Sequence, residues 1–197
     1  MTPPQTKQEQ LTLLMAELNR CDLCPLCSGA KHKVLGEGNL DSPVVFIGEA
    51  PGRREDETGR PFVGSAGKLL TRLLTGIGLS REEVFISNVV RCRPPGNRSP
   101  KREEVEACSG HMETLLRIIK PRIIAPMGNS SVEYFFDKYE LGKAVIGDAH
   151  GKPKRVTEEW GEVVLFPLYH PAAAIYKRKL LKELEADMAF LARLLLL

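Results

Sequence analysis

What the chain lacks narrows its class first. No apolar run approaches the ~20 residues needed to cross a bilayer, so neither a membrane span nor a membrane partner is expected. The opening stretch MTPPQTKQEQ has neither the charged start nor the apolar centre of a secretory signal, which makes the cytoplasm the expected location. Internal repeats, low-complexity tracts and linkers are missing as well. The 197 residues are enough for one domain with a full core, and positions 1–197 read as a single domain. Charge is not one-sided either: a net +3 is mildly basic, which is common with and without a polyanionic partner. A complete nucleotide loop is also absent. Gly64-Ser65-Ala66-Gly67-Lys68 has the look of one, but its first glycine lies too close and Leu69 stands where Ser or Thr is required. Gly48 and Gly52 do not form a dinucleotide fingerprint.

What is present alternates between two periodicities. After a loose tail, residues from Gln8 to Asn19 carry Leu11, Leu14, Met15 and Leu18 at helical spacing. Further helices are expected over Ser65–Ile77, Arg102–Ile119 and Lys179–Leu197. Buried strands are expected at Val44–Gly48, Val84–Val90, Arg122–Pro126 and Val163–Leu168. Residues 137–162 read as an excursion, with Val145-Ile146 and Arg155-Val156 as short edge strands. Strands alternating with helices imply an α/β protein with a mainly parallel, four-stranded sheet covered on both sides. Glu49, Asn88, Asn129 and His170 stand at or just past the strand ends, where α/β proteins bind ligands. The loop from Gly48 to Leu70, following the run Val44–Ile47, is the centre of this arrangement.

Five cysteines add a second theme. Cys21, Cys24 and Cys27 form two overlapping C-x2-C pairs, while Cys92 and Cys108 are remote in sequence. Structural disulfides are rare in the cytosol, so such a group points to metal or redox work. The run lacks the C-x3-C-P that would complete a bacterial ferredoxin pattern. Spacing alone leaves zinc and iron–sulfur both open. Cys108, inside a helix, is equally well read as a buried thiol.

The motifs GEAPG, ED, GRPFVG and AGKLL, with SNVVRCRPP and YHPAA downstream, resemble the family 4 uracil-DNA glycosylases, the iron–sulfur type. The match runs from about Cys21 to Ala173. The resemblance implies a three-layer α/β/α fold and hydrolysis of the N-glycosidic bond of uracil in double- or single-stranded DNA, which starts base-excision repair. It implies a [4Fe–4S] cluster on Cys21, Cys24, Cys92 and Cys108, structural and not chemical in its role. Cys27 has no counterpart, and would be an alternative ligand were Cys21 displaced. A monomer is expected. Neither end carries a convincing clamp-binding peptide, so a sliding clamp stays open as a partner.

Site roles also follow from the resemblance. Phe62 would stack on the flipped base, and Asn88 would read its edge through an amide that donates and accepts. Glu55 would crowd the pyrimidine C5 position and exclude the thymine methyl, with Asp56 and Glu57 as acids of a solvated loop. His170 would stabilise negative charge on the leaving base. Glu49, Ala50 and Pro51 would line the pocket below the sugar. Ala50 occupies the position of the water-orienting aspartate of other uracil glycosylases, so the base is left to Glu49, to Glu55 or to none. Backbone contacts are expected from the helix start at Gly64–Gly67, from the loop Arg91–Arg98, and from Lys177, Arg178 and Lys179. The rival readings are a cluster-bearing DNA-binding or redox module without catalysis, and a zinc-stabilised nucleotide hydrolase.

Overall fold

A computed structural model describes residues 5–196; the first part of the expected N-terminal tail lies outside the described residues. The chain opens with α1 (Lys7–Arg20), started by a reciprocal cap between Thr6 and Glu9. A short α2 (Leu26–Gly29) and a two-residue β1 (Glu37–Gly38) lead to the first buried strand, β2 (Val44–Gly48). Then come α3 (Arg53–Thr58), α4 (Ser65–Gly76), β3 (Phe85–Asn88) and the long α5 (Arg102–Ile119). After β4 (Ile123–Pro126) follow α6 (Asn129–Lys138), α7 (Ile146–Ala149), β5 (Lys154–Glu158) and β6 (Gly161–Leu165). The chain closes with α8 (Pro171–Ala174) and α9 (Arg178–Leu195).

The strands join one sheet in the order β1-β3-β2-β4-β6-β5. Its four inner strands are parallel, as the alternation implied; β1 and β5 add antiparallel edges. Successive side chains of a strand point to opposite faces, and the two halves of the core divide accordingly. Val45, Ile47, Phe85 and Ile124 pack with Leu14 and Leu18 of α1, Met112 and Leu115 of α5, and Phe135 of α6. Val44, Phe46, Ile86 and Ile123 pack with Leu70, Leu73 and Leu74 of α4 and Leu184, Met188 and Leu191 of α9. Both faces are therefore covered, which is why the central strands β2 and β4 are continuous apolar runs and the fold has three layers.

Three local expectations need correction. The sheet has six strands, and β1 lies in a stretch without the apolar residues that mark a strand. Val145-Ile146 is not an edge strand: Ile146 starts α7, and the Asn129 side chain accepts its amide at 3.0 Å. The polar RREDET segment inside the Gly48–Leu70 loop is helical, as α3.

Candidate active site

The chain runs from β2 in the middle of the sheet to β3 on one side and then to β4 on the other. Ligands bind where strand order reverses in this way, beyond the carboxyl ends. There the β2–β3 pairing continues past the strands, with Val89 N–H donating to the Gly48 carbonyl (2.9 Å) and Val90 N–H to that of Glu49 (3.2 Å). This pins Asn88 beside Gly48. A Cβ on Gly48 would lie 2.5 Å from Asn88 Oδ1 and 2.6 Å from Phe62 Cζ, so the Phe62 ring and the Asn88 amide meet over a bare backbone. Asn88 is buried, and among the described residues nothing hydrogen-bonds its side-chain amide. An amide free to donate and accept next to an aromatic ring suits the edge and face of a planar base.

Phe62 adopts a left-handed backbone, φ 52°, which a bulky side chain rarely takes. The surroundings hold it there. Glu55 Oε1 accepts from the amides of Val63 and Gly64, both at 2.9 Å. Arg81 donates to the carbonyls of Pro61 and Phe62, and its Nε to Glu37 at 2.9 Å. Burial would raise the Glu37 pKa, but hydrogen bonds from Arg60 and Arg81 outweigh it and keep the carboxyl below its usual range. Glu37 thus remains the anion that orients Arg81.

His170 faces Phe62 with ring centroids 5.7 Å apart. It caps α8: its Nδ1 accepts the Ala172 amide at 3.1 Å, so the ring proton belongs on Nε2. Burial lowers its pKa against the pull of Glu49 and Glu55, and the neutral imidazole is the resting form. Its Cβ would clash at 2.9 Å with any side chain on Gly128, whose φ of +88° also excludes one; the turn after β4 and the turn after β6 are fitted to each other there. Glu49 is half-buried and accepts from Ser130 Oγ at 2.5 Å. Ala50 is half-buried and Pro51 buried behind it. Of the four polar strand-end residues, Glu49, Asn88 and His170 come together at this edge of the sheet, whereas Asn129 turns to α7. Asp56 is not solvated: it is buried and accepts the Lys31 amide at 2.8 Å. Ser130 and Arg81 carry no motif that singles them out; only the fold brings them to Glu49 and Phe62.

Beside the pocket, Arg53, Arg54, Lys68 and Arg93 line a cleft of about 630 Å³ with Glu55, Gly64 and Ser65. A cleft of similar size between α5 and α6 is lined by Glu106, Glu113, Glu133 and Asp137 against Arg102 and Lys138, and this excess of acids opposes a phosphate backbone. Of the three arginines in the loop 91–98, only Arg93 lines the basic cleft. Arg98 pairs with Glu104 at 2.6 Å, and Arg91 is wholly buried, which corrects the expectation that it meets phosphate.

All five cysteines are free thiols packed against one core. Burial pushes Cys92 up to about 12, aided by Cys108, Cys24 and Cys27. Cys108 is also raised, by burial first, with Cys24 and Cys21 adding to it. Among the described residues, no three His, Cys, Asp or Glu side chains are grouped as for a single metal ion. Among the described residues, buried side-chain polar atoms without a partner are Arg91 Nε, His111 Nε2 and the Tyr134 hydroxyl; Cys108 acts electrostatically on both Arg91 and Tyr134. Thiols collected from two remote stretches of the chain, with unsatisfied donors beside them, fit a sulfur-rich anionic group.

The model of the uracil DNA glycosylase superfamily matches residues 35–194, and the chain belongs to that superfamily. Several of its relatives are type-4 enzymes. A type-4 uracil-DNA glycosylase of Saccharolobus solfataricus is 46% identical over 180 residues, 91% of this chain and 83% of that one. The Archaeoglobus fulgidus and Thermotoga maritima type-4 enzymes are 43% and 39% identical, covering 91% and 95% of this chain and 90% and 98% of their own length. No described helix is long and apolar enough to cross a membrane.

Proposed function

We propose that the chain is a uracil-DNA glycosylase that draws uracil out of double- or single-stranded DNA and hydrolyses its glycosidic bond. The observation that carries this is the contact of Phe62 and Asn88 over Gly48, with His170 opposite. A base turned out of the stack lies against the Phe62 ring. Asn88 pairs with its O4 and N3–H; cytosine reverses that pattern and leaves buried polar groups unpaired. The fixed loop around Glu55 closes the C5 edge against thymine.

The bond between C1′ and N1 then breaks, and its electron pair passes into the uracil ring. His170, neutral and protonated on Nε2, donates to the developing charge on O2. Water adds to C1′ from the side of Glu49, with Ala50 and Pro51 packed below the sugar. Glu49 takes the water proton in preference to Glu55, because one Glu55 oxygen is already held by two backbone amides. Ser130 holds Glu49 in place.

Cys21, Cys24, Cys92 and Cys108 would hold a [4Fe–4S] cluster, supported by the single core against which all four pack. When bound, the cluster ties the segment after α1 to the loop after β3. The site residues all come from one chain, which suits a monomer, and cysteines kept as thiolates for a cluster suit a reducing compartment such as the cytoplasm. The test is release of uracil from an oligonucleotide followed by alkaline cleavage. His170→Ala is expected to lower kcat by about 10²–10³, the effect of losing one donor to a developing anion. Asn88→Ala should raise KM and also lower kcat. If both variants cleave like the parent, this pocket is not the site of the reaction.

A further inference from the structure

Arg91 is the largest fully buried side chain among the described residues, with 0% exposure, and it has no carboxylate partner. Its Nη1 donates to Ser87 Oγ at 2.5 Å and to the Asn88 carbonyl, its Nη2 to the Met112 sulfur at 3.8 Å, and its Nε to nothing. A guanidinium stays charged in proteins, and a buried charge without a counter-charge is strongly penalised. The groups that act on it electrostatically are Cys108, Tyr134 and Cys92. Neutral thiols give such a cation little. Thiolates holding an iron–sulfur cluster give it a great deal, since the complete site is an anion.

We propose that Arg91 is the buried counter-cation of the cysteine-held cluster and that the same guanidinium, through the Asn88 carbonyl, couples the cluster to the residue that reads the base. The proposal rests on the reading of Cys21, Cys24, Cys92 and Cys108 as cluster ligands. Arg91 is in this sense a positioning residue: one nitrogen serves the strand end at Asn88, and its charge serves the sulfur site. Loss of the cluster leaves the cation unpaired beside the base pocket, so the pocket loosens although no cysteine touches the substrate.

The experiment compares wild type, Arg91→Met and Arg91→Lys as purified holoproteins, by iron and sulfide content, reduction potential, and Tm with and without iron. Arg91→Met is expected to lower the potential, because a lost positive charge disfavours the added electron. A tenfold change in the reduction equilibrium would be about 59 mV for one electron. The same variant should be less stable than wild type with the cluster, yet no less stable without it. Arg91→Lys keeps the charge and loses the fork, so its potential should stay near wild type while kcat/KM for uracil release falls. Equal destabilisation of Arg91→Met in both forms with an unchanged potential would overturn the proposal. If Arg91→Met does not fold, a potential in Arg91→Lys displaced by tenfold or more in the equilibrium would also overturn it. Iron and sulfide missing from the wild type itself would instead overturn the cluster reading, a separate failure.

Discussion

In the proposed mechanism His170 ties the chemistry to pH. Its Nδ1 is occupied by the Ala172 amide, so protonation there would set two donors against each other. Burial also opposes the charged form, and the pKa lies below the ordinary 6.5. The active form is therefore neutral, and it is lost only as pH falls below 6.5. The kcat/KM profile should stay level from neutral down through 6.5, then drop with the uptake of one proton on a limb that His170→Gln removes. A rate that climbs toward acid would mean that imidazolium, and not imidazole, faces the leaving base. Asn88 and Phe62 complete the same pocket without titrating. Their roles depend on contact over Gly48, which is geometry and not charge.

The turn that carries Phe62 is an element in its own right. Glu55, projecting from α3, binds both amides that follow Phe62, and Arg81 binds the two carbonyls before and at it. Glu55→Ala should lower stability by about 1.5–3 kcal/mol, the usual worth of hydrogen bonds to a charged group, and should reduce uracil kcat/KM with it. Glu55→Gln keeps an oxygen for both amides and should recover most of each. If Glu55→Ala is as stable as the parent and merely begins to release thymine, the carboxylate serves the C5 edge alone. None of this bonding is visible in RREDET, a polar hexapeptide with no apolar spacing, and so α3 could not be foreseen. The central strands β2 and β4 could, because burial on both faces leaves an unbroken apolar run. Helices α4, α5 and α9 were legible from their apolar stripes. Motifs likewise marked Glu49, Phe62, Asn88 and His170. Their supports were hidden: Ser130 lies 81 residues beyond Glu49, and an arginine next to a cysteine gives no sign that it is buried.

Over the whole molecule, the sum of charges is less informative than its layout. A net +3 describes no binding face, but the fold puts Arg53, Arg54, Lys68 and Arg93 along the cleft beside the pocket and gathers Glu106, Glu113, Glu133 and Asp137 between α5 and α6. A phosphate backbone approaching the strand ends would meet the basic cleft and avoid the acidic one. Each phosphate neutralised changes the slope of log K against log salt by about −0.9 on duplex and −0.7 on single strands. If those four side chains each meet one phosphate, duplex binding should show a slope between about −3 and −4. Lys68→Ala or Arg93→Ala should each make it shallower by about 0.9. Neither should alter the preference for uracil over cytosine, because phosphate contacts position the strand and the base pocket chooses. Glu133→Gln, on the acidic side, should leave the slope unchanged. If Lys68→Ala and Arg93→Ala bind duplex with the parent's salt dependence, the backbone does not run through this cleft, and the path of the DNA across the strand ends must be redrawn.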